Sequence, residues 1–490
     1  MLAASVTALA HVLAAHADAV SPLGFAPAWR CTADPAAATT VPGWTIVSGS
    51  PALRCGTAFP GEWPARPAPR GVIANGPYGG SVLERALPLR AVRRGHRRFT
   101  LSAWLGAFGL GSARARLTGR FLAASGRALG PPLLLRGPPA VRRALPVRFV
   151  PRKASGRIPS GAVALDLHLE LPGSTRRART YIAAMRLELD PPMSLPPPAP
   201  PHARVPRYDH VFLIMMENTG YAQVIGDRKD APFINSLAAR GALLADYQAV
   251  YHPSDQNYLA IAGGDTFVRG GAYFPKIHLT ARNLGDLLEA AGDSWKAYLE
   301  GMGTPCNVTT RYDKYYEPDD APFINFTDIR DDPARCRAHL VDLAEWPRDL
   351  RRAATTPVFA WLAADDYDDG EVPGNGSPKS LQVQDAWLKR TLEPLFDSPA
   401  WRDQKSLLIL TWDESNTTAN NHIATLVVGS RCTVRSGYVS SRRYDNFSTA
   451  RTIEAALGLP AMTSNDEFAP AFDDAFTRGA GADCGPPGHQ

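Results

Sequence analysis

Between residues 191 and 207 the chain reads PPMSLPPPAPPHARVPR. A run so rich in proline is excluded from helix interiors and central strands and favours an extended, semi-rigid spacer. It argues against one continuous core and divides the 490 residues into two parts, each burying its own apolar surface. The charge changes at the same place. Residues 1–193 carry 25 Lys and Arg against 8 Asp and Glu, a net of +17; the remainder carries 28 against 39, a net of −11. Such a split points to different partners for the two parts. The basic part suits an anionic surface, such as a cell-wall polymer or acidic lipid. An arginine-rich composition imposed by GC-rich coding explains the same numbers. The arginines are scattered, with no recognition helix or RNA-binding motif, so no nucleic-acid partner is expected.

The first part reads as all-β. Short apolar runs at Phe99–Ala107, Ala115–Ala123 and Ala162–Leu171 are separated by Gly, Pro and Ser. In AVALDLHLEL, Val163, Leu165, Leu167 and Leu169 fall on one face, which is strand alternation. Several such strands at short spacing predict a β-sandwich over 20–193. In layout it resembles galactose-binding-like, carbohydrate-binding sandwiches, which implies a glycan or surface ligand; Trp29, Trp44, Trp63 and Trp104 are candidates to stack on sugars or to fill the core.

Six cysteines, none in CxxC spacing, disfavour a structural zinc and fit disulfides formed in an oxidising compartment. Grouped by segment they pair as Cys31–Cys55, Cys306–Cys336 and Cys432–Cys484. Residues 1–19 have the apolar stretch and small-residue ending of a signal peptide but lack its basic start. Together these features predict a secreted or cell-surface protein. No apolar run is long enough to span a membrane as a helix.

After the Pro-rich linker 194–207, residues 208–478 alternate strands and helices, leaving a short tail at 479–490. Strand-like runs are His210–Met216, Leu244–Val250, Val358–Ala364, Ser406–Trp412 and Ile423–Val428; helix-like runs are Pro232–Ala242, Leu284–Ala291, Asp332–Ala353, Leu381–Phe396 and Ser448–Leu457. The pattern predicts an α/β fold with a mostly parallel sheet covered on both faces. Ligands of such sheets bind beyond the carboxyl ends of the strands. There the sequence places Glu217-Asn218, His252-Pro253-Ser254-Asp255-Gln256-Asn257, the acidic stretch from Asp365 through Asp369 to Glu371, Asp413-Glu414 and Asn421-His422. Carboxylates brought together repel unless a cation sits among them. An oxygen-rich set with one or two histidines suits a divalent ion such as Ca, Mg, Mn or Zn. A serine beside such an ion is an activated nucleophile, and phosphate-ester hydrolysis is the chemistry this pairing serves. GxSxG, HExxH and GxxxxGK[ST] motifs are absent.

The segments MMENTGY, HPSDQNYLAIAGG, the Asp-rich stretch after the strand VFAWLAA, LTWDES with NNHIATLVVG, and YDNFSTARTIEAALGLP, in this order over about 208–460, resemble the bacterial phosphoesterase family of acid phosphatases and phospholipase C enzymes. The resemblance implies an alkaline-phosphatase-like α/β/α sandwich. It implies Ser254 as a nucleophile passing through a phosphoserine, with Glu217, Asn218, Ser254, Asp413 and Glu414 at the metal. Asn257 would donate to a phosphoryl oxygen, and His252 would orient the serine. Asp365, Asp369, His422 and, less directly, Glu371 would line a second half of the site, around phosphate or a second metal. The chain departs from the family where relatives carry histidine: it has Asp320-Ala321-Pro322, Asp369-Gly370-Glu371 and Asp445-Asn446-Phe447. These changes imply a different metal, pH optimum or substrate, or lowered activity. The alternative reading is a non-catalytic surface- or carbohydrate-binding protein with a degenerate site. The retained Ser254 and Asp413-Glu414 speak for an enzyme.

Overall fold

The structure is a computed structural model. It describes residues 20–22, 38–59, 63, 68–76, 79–89, 98–109, 112–139, 147, 149–173, 178–190, 197–267, 273–416 and 421–477. The chain divides into two compact units, Met1–Pro200 and Pro201–Gln490. The predicted leader 1–19, Trp29, Cys31, most of the Pro-rich stretch before residue 197 and the tail 479–490 lie outside the described residues.

The first unit contains two antiparallel sheets. One runs in the order Ala52–Cys55, Gly71–Ala74, Ala178–Asp190, Arg98–Gly109, Val150–Arg157, with Val20–Pro22 also on Ala178–Asp190. The other runs Thr45–Ser48, Ser81–Pro88, Ala164–Leu171, Arg116–Leu122, Ala128–Arg136. Strand alternation turns one face of each inward. Leu165, Leu167, Leu169 and Leu171 are fully buried and share a core with Leu101, Leu105, Ile182 and Leu187 of the other sheet. Val163 precedes the strand and is half-buried. The three described tryptophans pack within the unit. Trp44 belongs to the core. Trp63 stacks on Phe149 at 4.1 Å, lies 5.6 Å from Trp104 and donates through Nε1 to Gly56 O at 3.1 Å. Their faces are used inside the protein, and nothing here supports the sugar-stacking expectation.

The second unit is an α/β fold around a nine-stranded sheet. Leu340–Asp342, Trp295–Leu299, Phe359–Ala363, His210–Met216 and Ser406–Trp412 are neighbours in that order and parallel. Every residue of His210–Met216 and Ser406–Trp412 is buried, as a strand covered on both faces requires. Beyond them Thr425–Gly429 runs antiparallel to both Ser406–Trp412 and Ala242–Gln248. Ala242–Gln248 therefore points the same way as the five parallel strands. It also pairs with Tyr438–Tyr444 in parallel and with His422–Ile423 antiparallel.

Two expectations are corrected. The run Ile423–Val428 is not a parallel strand; an antiparallel neighbour needs only the short connection that follows Trp412. The run Asp332–Ala353 is not one helix. It breaks into the helix Pro333–His339, the strand Leu340–Asp342 and the short helix Trp346–Asp349. Tertiary pairing of Leu340–Asp342 with Trp295–Leu299 overrides its helical pattern, and Pro347 cannot sit in a helix interior. Cys306 and Cys336 form the expected disulfide. Cys55 and Cys432 are also disulfide-bonded, and their expected partners, Cys31 and Cys484, lie outside the described residues.

Candidate active site

The site grows from strand ends. After His210–Met216 the chain turns sharply at Asn218, whose φ of 50° is left-handed. Asparagine accepts that conformation more readily than most residues. The turn aims the Asn218 backbone N–H at Asp413 Oδ1 (2.8 Å), and its side-chain amide donates to Glu217 Oε2 (2.8 Å). Asp413 itself follows Ser406–Trp412, the neighbouring parallel strand, so two adjacent strand ends are locked together. Gln384 braces them from the helix Pro378–Asp397: it accepts from Trp412 Nε1 (2.9 Å) and donates to Thr219 Oγ1 (3.2 Å). Gly370 is required nearby, because its φ is +100° and a Cβ would come within 2.0 Å of Gln384 Nε2.

Ser254 stands at the N-terminus of the helix Asp255–Gly263, but its hydroxyl does not cap that helix. It donates instead to Glu217 Oε2 at 3.2 Å. The turn before it is held by asparagines. Asn257 accepts from Tyr251 N and donates to Tyr251 O, both at 2.9 Å, while Asn421 donates to Tyr251 O at 2.5 Å. Asn446 accepts from Val250 N at 3.0 Å. Asn257 thus fixes the serine's turn with the amide that the family resemblance assigns to the phosphoryl group. His252 pairs through Nδ1 with Glu414 Oε2 at 2.7 Å. Tyr258, not anticipated from sequence, donates to Glu217 Oε1 at 2.5 Å.

A second group of carboxylates lies beside the first. Asp320, Asp366 and Asp369 each offer an oxygen, all within 4.8 Å of one another. Asp369 also accepts from Glu371 N at 2.8 Å, and its carbonyl accepts from Glu217 N at 3.3 Å. Asp365 is not in this group. It sits with Glu300 and Asp368, and Arg390 pairs with both of those residues. Asp366 takes the position expected of Asp365, and Asp320 joins it from the stretch where the family resemblance implies histidine. His422 is engaged elsewhere: its ring stacks on Tyr221 at 4.4 Å and its Nε2 bonds with Ala245 O at 2.8 Å. Asp445 caps the helix Asn446–Leu457 through Ser448 N.

The electrostatics follow from this geometry. Burial, then the charges of Asp413 and Asp369, pushes Glu217 well above the usual carboxylate range. Burial, then Glu414, does the same to Asp413, and burial with Asp369 does so to Asp320. Burial and Glu371 raise Asp366 to about 7. Asp413 is fully buried, and its Oδ2 meets no hydrogen-bond partner of acceptable geometry among the described residues, although Ser254 lies near enough to oppose part of the rise. An orphaned buried oxygen amid mutually repelling carboxylates is the arrangement that a bound cation would satisfy. Glu217, Asp413, Glu414 and the side-chain oxygens of Asn218 and Ser254 are hard oxygen donors of the kind a divalent ion takes, while the carboxylates whose oxygens already converge within 4.8 Å among the described residues are Glu300, Asp365 and Asp368, and Asp320, Asp366 and Asp369.

Sheet, strand-end site and sequence relationships define a hydrolase acting on phosphate esters. The phosphoesterase family model matches residues 227–460. A phosphatidylinositol-3-phosphatase of Mycobacterium tuberculosis is 31% identical over 265 residues, which are 52% of this chain and 79% of that protein. A probable acid phosphatase of Kluyveromyces lactis is 27% identical over 267 residues, 53% of this chain and 60% of that protein. The chain belongs to the phosphoesterase family. Among solved structures, a protein of the alkaline phosphatase superfamily from Vibrio parahaemolyticus aligns with a TM-score of 0.40 and 14% identity, over 54% of this chain and 70% of that one.

Proposed function

We propose that this chain is a metal-dependent phosphomonoesterase in which Ser254 attacks phosphorus and is transiently phosphorylated. One observation carries the reading: the Ser254 hydroxyl, at the head of a buried helix, turns from the cap position toward the buried carboxylate Glu217. Glu217, Asn218, Asp413 and Glu414, with Ser254, would hold the ion. A bound divalent cation favours the serine alkoxide and shields charge on the phosphoryl oxygens. The five proposed ligands are all oxygen donors, which favours Mg, Ca or Mn over Zn.

The protein's own groups do the rest. Glu217 Oε2 accepts the Ser254 hydroxyl hydrogen, so the proton passes there as the Oγ–P bond forms and the bond from phosphorus to the leaving oxygen breaks. The departing alkoxide takes a proton from water. A second water, giving a proton to the hydroxide left by the first, then attacks the phosphoserine; Glu217 returns its proton to Oγ as the Oγ–P bond breaks, which releases inorganic phosphate and restores the hydroxyl. Tyr258 holds the other Glu217 oxygen, and Asn257 fixes the serine's turn. Asp320, Asp366 and Asp369 would repel a phosphoryl group, so we read that half of the site as a second cation pocket rather than a phosphate contact.

The relatives are named phosphatases, which favours monoester over phospholipase C-type hydrolysis. The disulfides favour export to an oxidising compartment. The net charge of +17 over residues 1–193 favours an anionic surface as the partner of the first unit. The test is hydrolysis of p-nitrophenyl phosphate, its bis-ester and phosphatidylcholine, with and without chelator, beside Ser254→Ala. Chelator-sensitive monoester turnover, lost in the variant, supports the proposal. A folded protein inactive on all three with any divalent metal turns the assignment to the surface-binding alternative.

A further inference from the structure

Charge in the first unit is sorted by strand. Residues 85–165 hold 17 Lys and Arg and no Asp or Glu. That stretch supplies the strands Arg98–Gly109, Arg116–Leu122, Ala128–Arg136 and Val150–Arg157. The acidic residues described in this unit, Glu84, Asp166, Glu170, Glu188 and Asp190, stand instead on Ser81–Pro88, Ala164–Leu171 and Ala178–Asp190. An arginine-rich composition adds cations throughout a chain; it does not separate them from acids in space.

The topology gathers the cationic strands at one side. Val150–Arg157 ends one sheet and Ala128–Arg136 ends the other. The two edges meet, with Arg152 Nε donating to Arg136 O at 3.0 Å. Arg127, Arg136, Arg152, Lys153 and Arg157 are exposed along this seam, and none of them pairs with a carboxylate among the described residues. The register sets Arg98 directly opposite Arg157, and Arg116 directly opposite Arg136. Like charges so opposed destabilise a sheet. Glu170 relieves Arg116 at 3.3 Å, and Asp190 stands across from Arg98 on its other side, but the outermost cations have no such neighbour. Apolar surface interrupts the charge. Leu134 is 48% exposed and shares the outer face with Arg136, while Leu135 between them is buried. Pro131 and Pro132, just before it, are exposed as well.

We propose that this seam docks on a membrane rich in anionic phospholipid. The proposal rests on the anionic partner inferred above and narrows it to one face and one kind of surface. Arginine forks match lipid phosphates, and cations beside an anionic leaflet gain from its surface potential. An exposed leucine and two prolines among the cations favour a bilayer over a soluble polyanion, because a bilayer offers hydrocarbon into which they sink.

The experiment sediments the full-length protein with vesicles of pure phosphatidylcholine and of phosphatidylcholine mixed with phosphatidylglycerol, beside a titration with soluble polyphosphate. Wild type should bind the mixed vesicles alone of the two, and less as salt rises. At about fivefold per cation, Arg136→Gln/Lys153→Gln/Arg157→Gln should weaken that binding about a hundredfold. Leu134→Ser should weaken it about fivefold and keep the salt response. Arg136→Lys/Arg157→Lys should retain most of the binding, which ties the loss to charge and not to misfolding. Wild type that binds polyphosphate but no vesicle would overturn the proposal and leave the broader anionic partner standing; wild type that binds neither would remove both. Unchanged vesicle affinity in the triple glutamine variant or in Leu134→Ser would also overturn it.

Discussion

Both units have apolar cores, but they differ in the charge they bury. The sandwich packs Leu165, Leu167, Leu169, Leu171 and their counterparts, and the polar residues it buries, Thr40, Asn75, Ser81 and Thr180, are neutral. The α/β unit builds its sheet from equally apolar strands and then buries Glu217, Asp369 and Asp413 at the strand ends. The first arrangement is stable as it stands, since apolar burial lowers free energy without a partner. The second holds like charges together in a poorly solvated place, which a bound cation would relieve. On the proposed reading, one chain contains a unit whose core needs no partner and a unit whose buried carboxylates a ligand would neutralise.

The sharpest way to break this comparison is Ser254→Ala. We expect a loss of about 10³-fold or more in kcat for p-nitrophenyl phosphate, with both units folded, because a hydroxyl is removed from a site and not from a core. Near-normal turnover would separate the buried carboxylates from catalysis. Chelation comes next. It should abolish turnover and lower the melting temperature of the α/β unit by about 5–8 °C, as expected for the loss of a ligand present near a hundred times its Kd. The sandwich transition should not move, and calorimetry that found both units shifting equally would contradict the contrast. Leu167→Ala tests the other side. It should destabilise the sandwich by about 2–5 kcal/mol, read as a lower midpoint in denaturant, while kcat/KM stays within about twofold.

The smallest effect is that of pH on the metal-free protein. Asp255, Asp366 and Asp319 are raised to about 6, 7 and 8, mainly by burial and by neighbouring carboxylates. A value raised in the folded state means that the proton stabilises the fold, so the benefit is full in acid and fades as pH climbs through those values. With chelator present, the melting temperature of the α/β unit should fall by a few degrees between about pH 4 and 8, and the sandwich should change less. A rise over that range would mean that the site carries its own counter-charge.

Both folds were largely legible because each rests on a periodic signal. AVALDLHLEL alternates, and the structure buries the leucines. HVFLIMM and SLLILTW are unbroken apolar runs, and both are central parallel strands. Carboxylates immediately after such runs must lie at the sheet edge, which is why Glu217, Asp413 and Glu414 could be placed. The signal failed where contacts are long-range or loop geometry decides. WKAYL carries a lysine and gave no strand, although Trp295–Leu299 lies inside the sheet. Asp365 and Asp366 are adjacent in sequence, and only the turn determines which of them faces Asp320. Tyr258 reaches Glu217 across 41 positions, and His422 is withdrawn by Tyr221, a ring no spacing rule connects to it. Asp320 had a signal, an aspartate where the family resemblance implies histidine, whose meaning needed the neighbouring carboxylates in place.

The helix that begins at Asp255 has no wet side: Gln256 through Gly263 are all buried. In mechanical terms Ser254 is the tip of a rod gripped along its whole length, with almost no compliance. A hydroxyl mounted this way keeps its bearing toward Glu217 through thermal motion that would swing a loop-borne serine. Wear at any point along the rod, such as a lost methyl at Leu259 or Ile261, should then register at the tip as reduced turnover before it registers as unfolding.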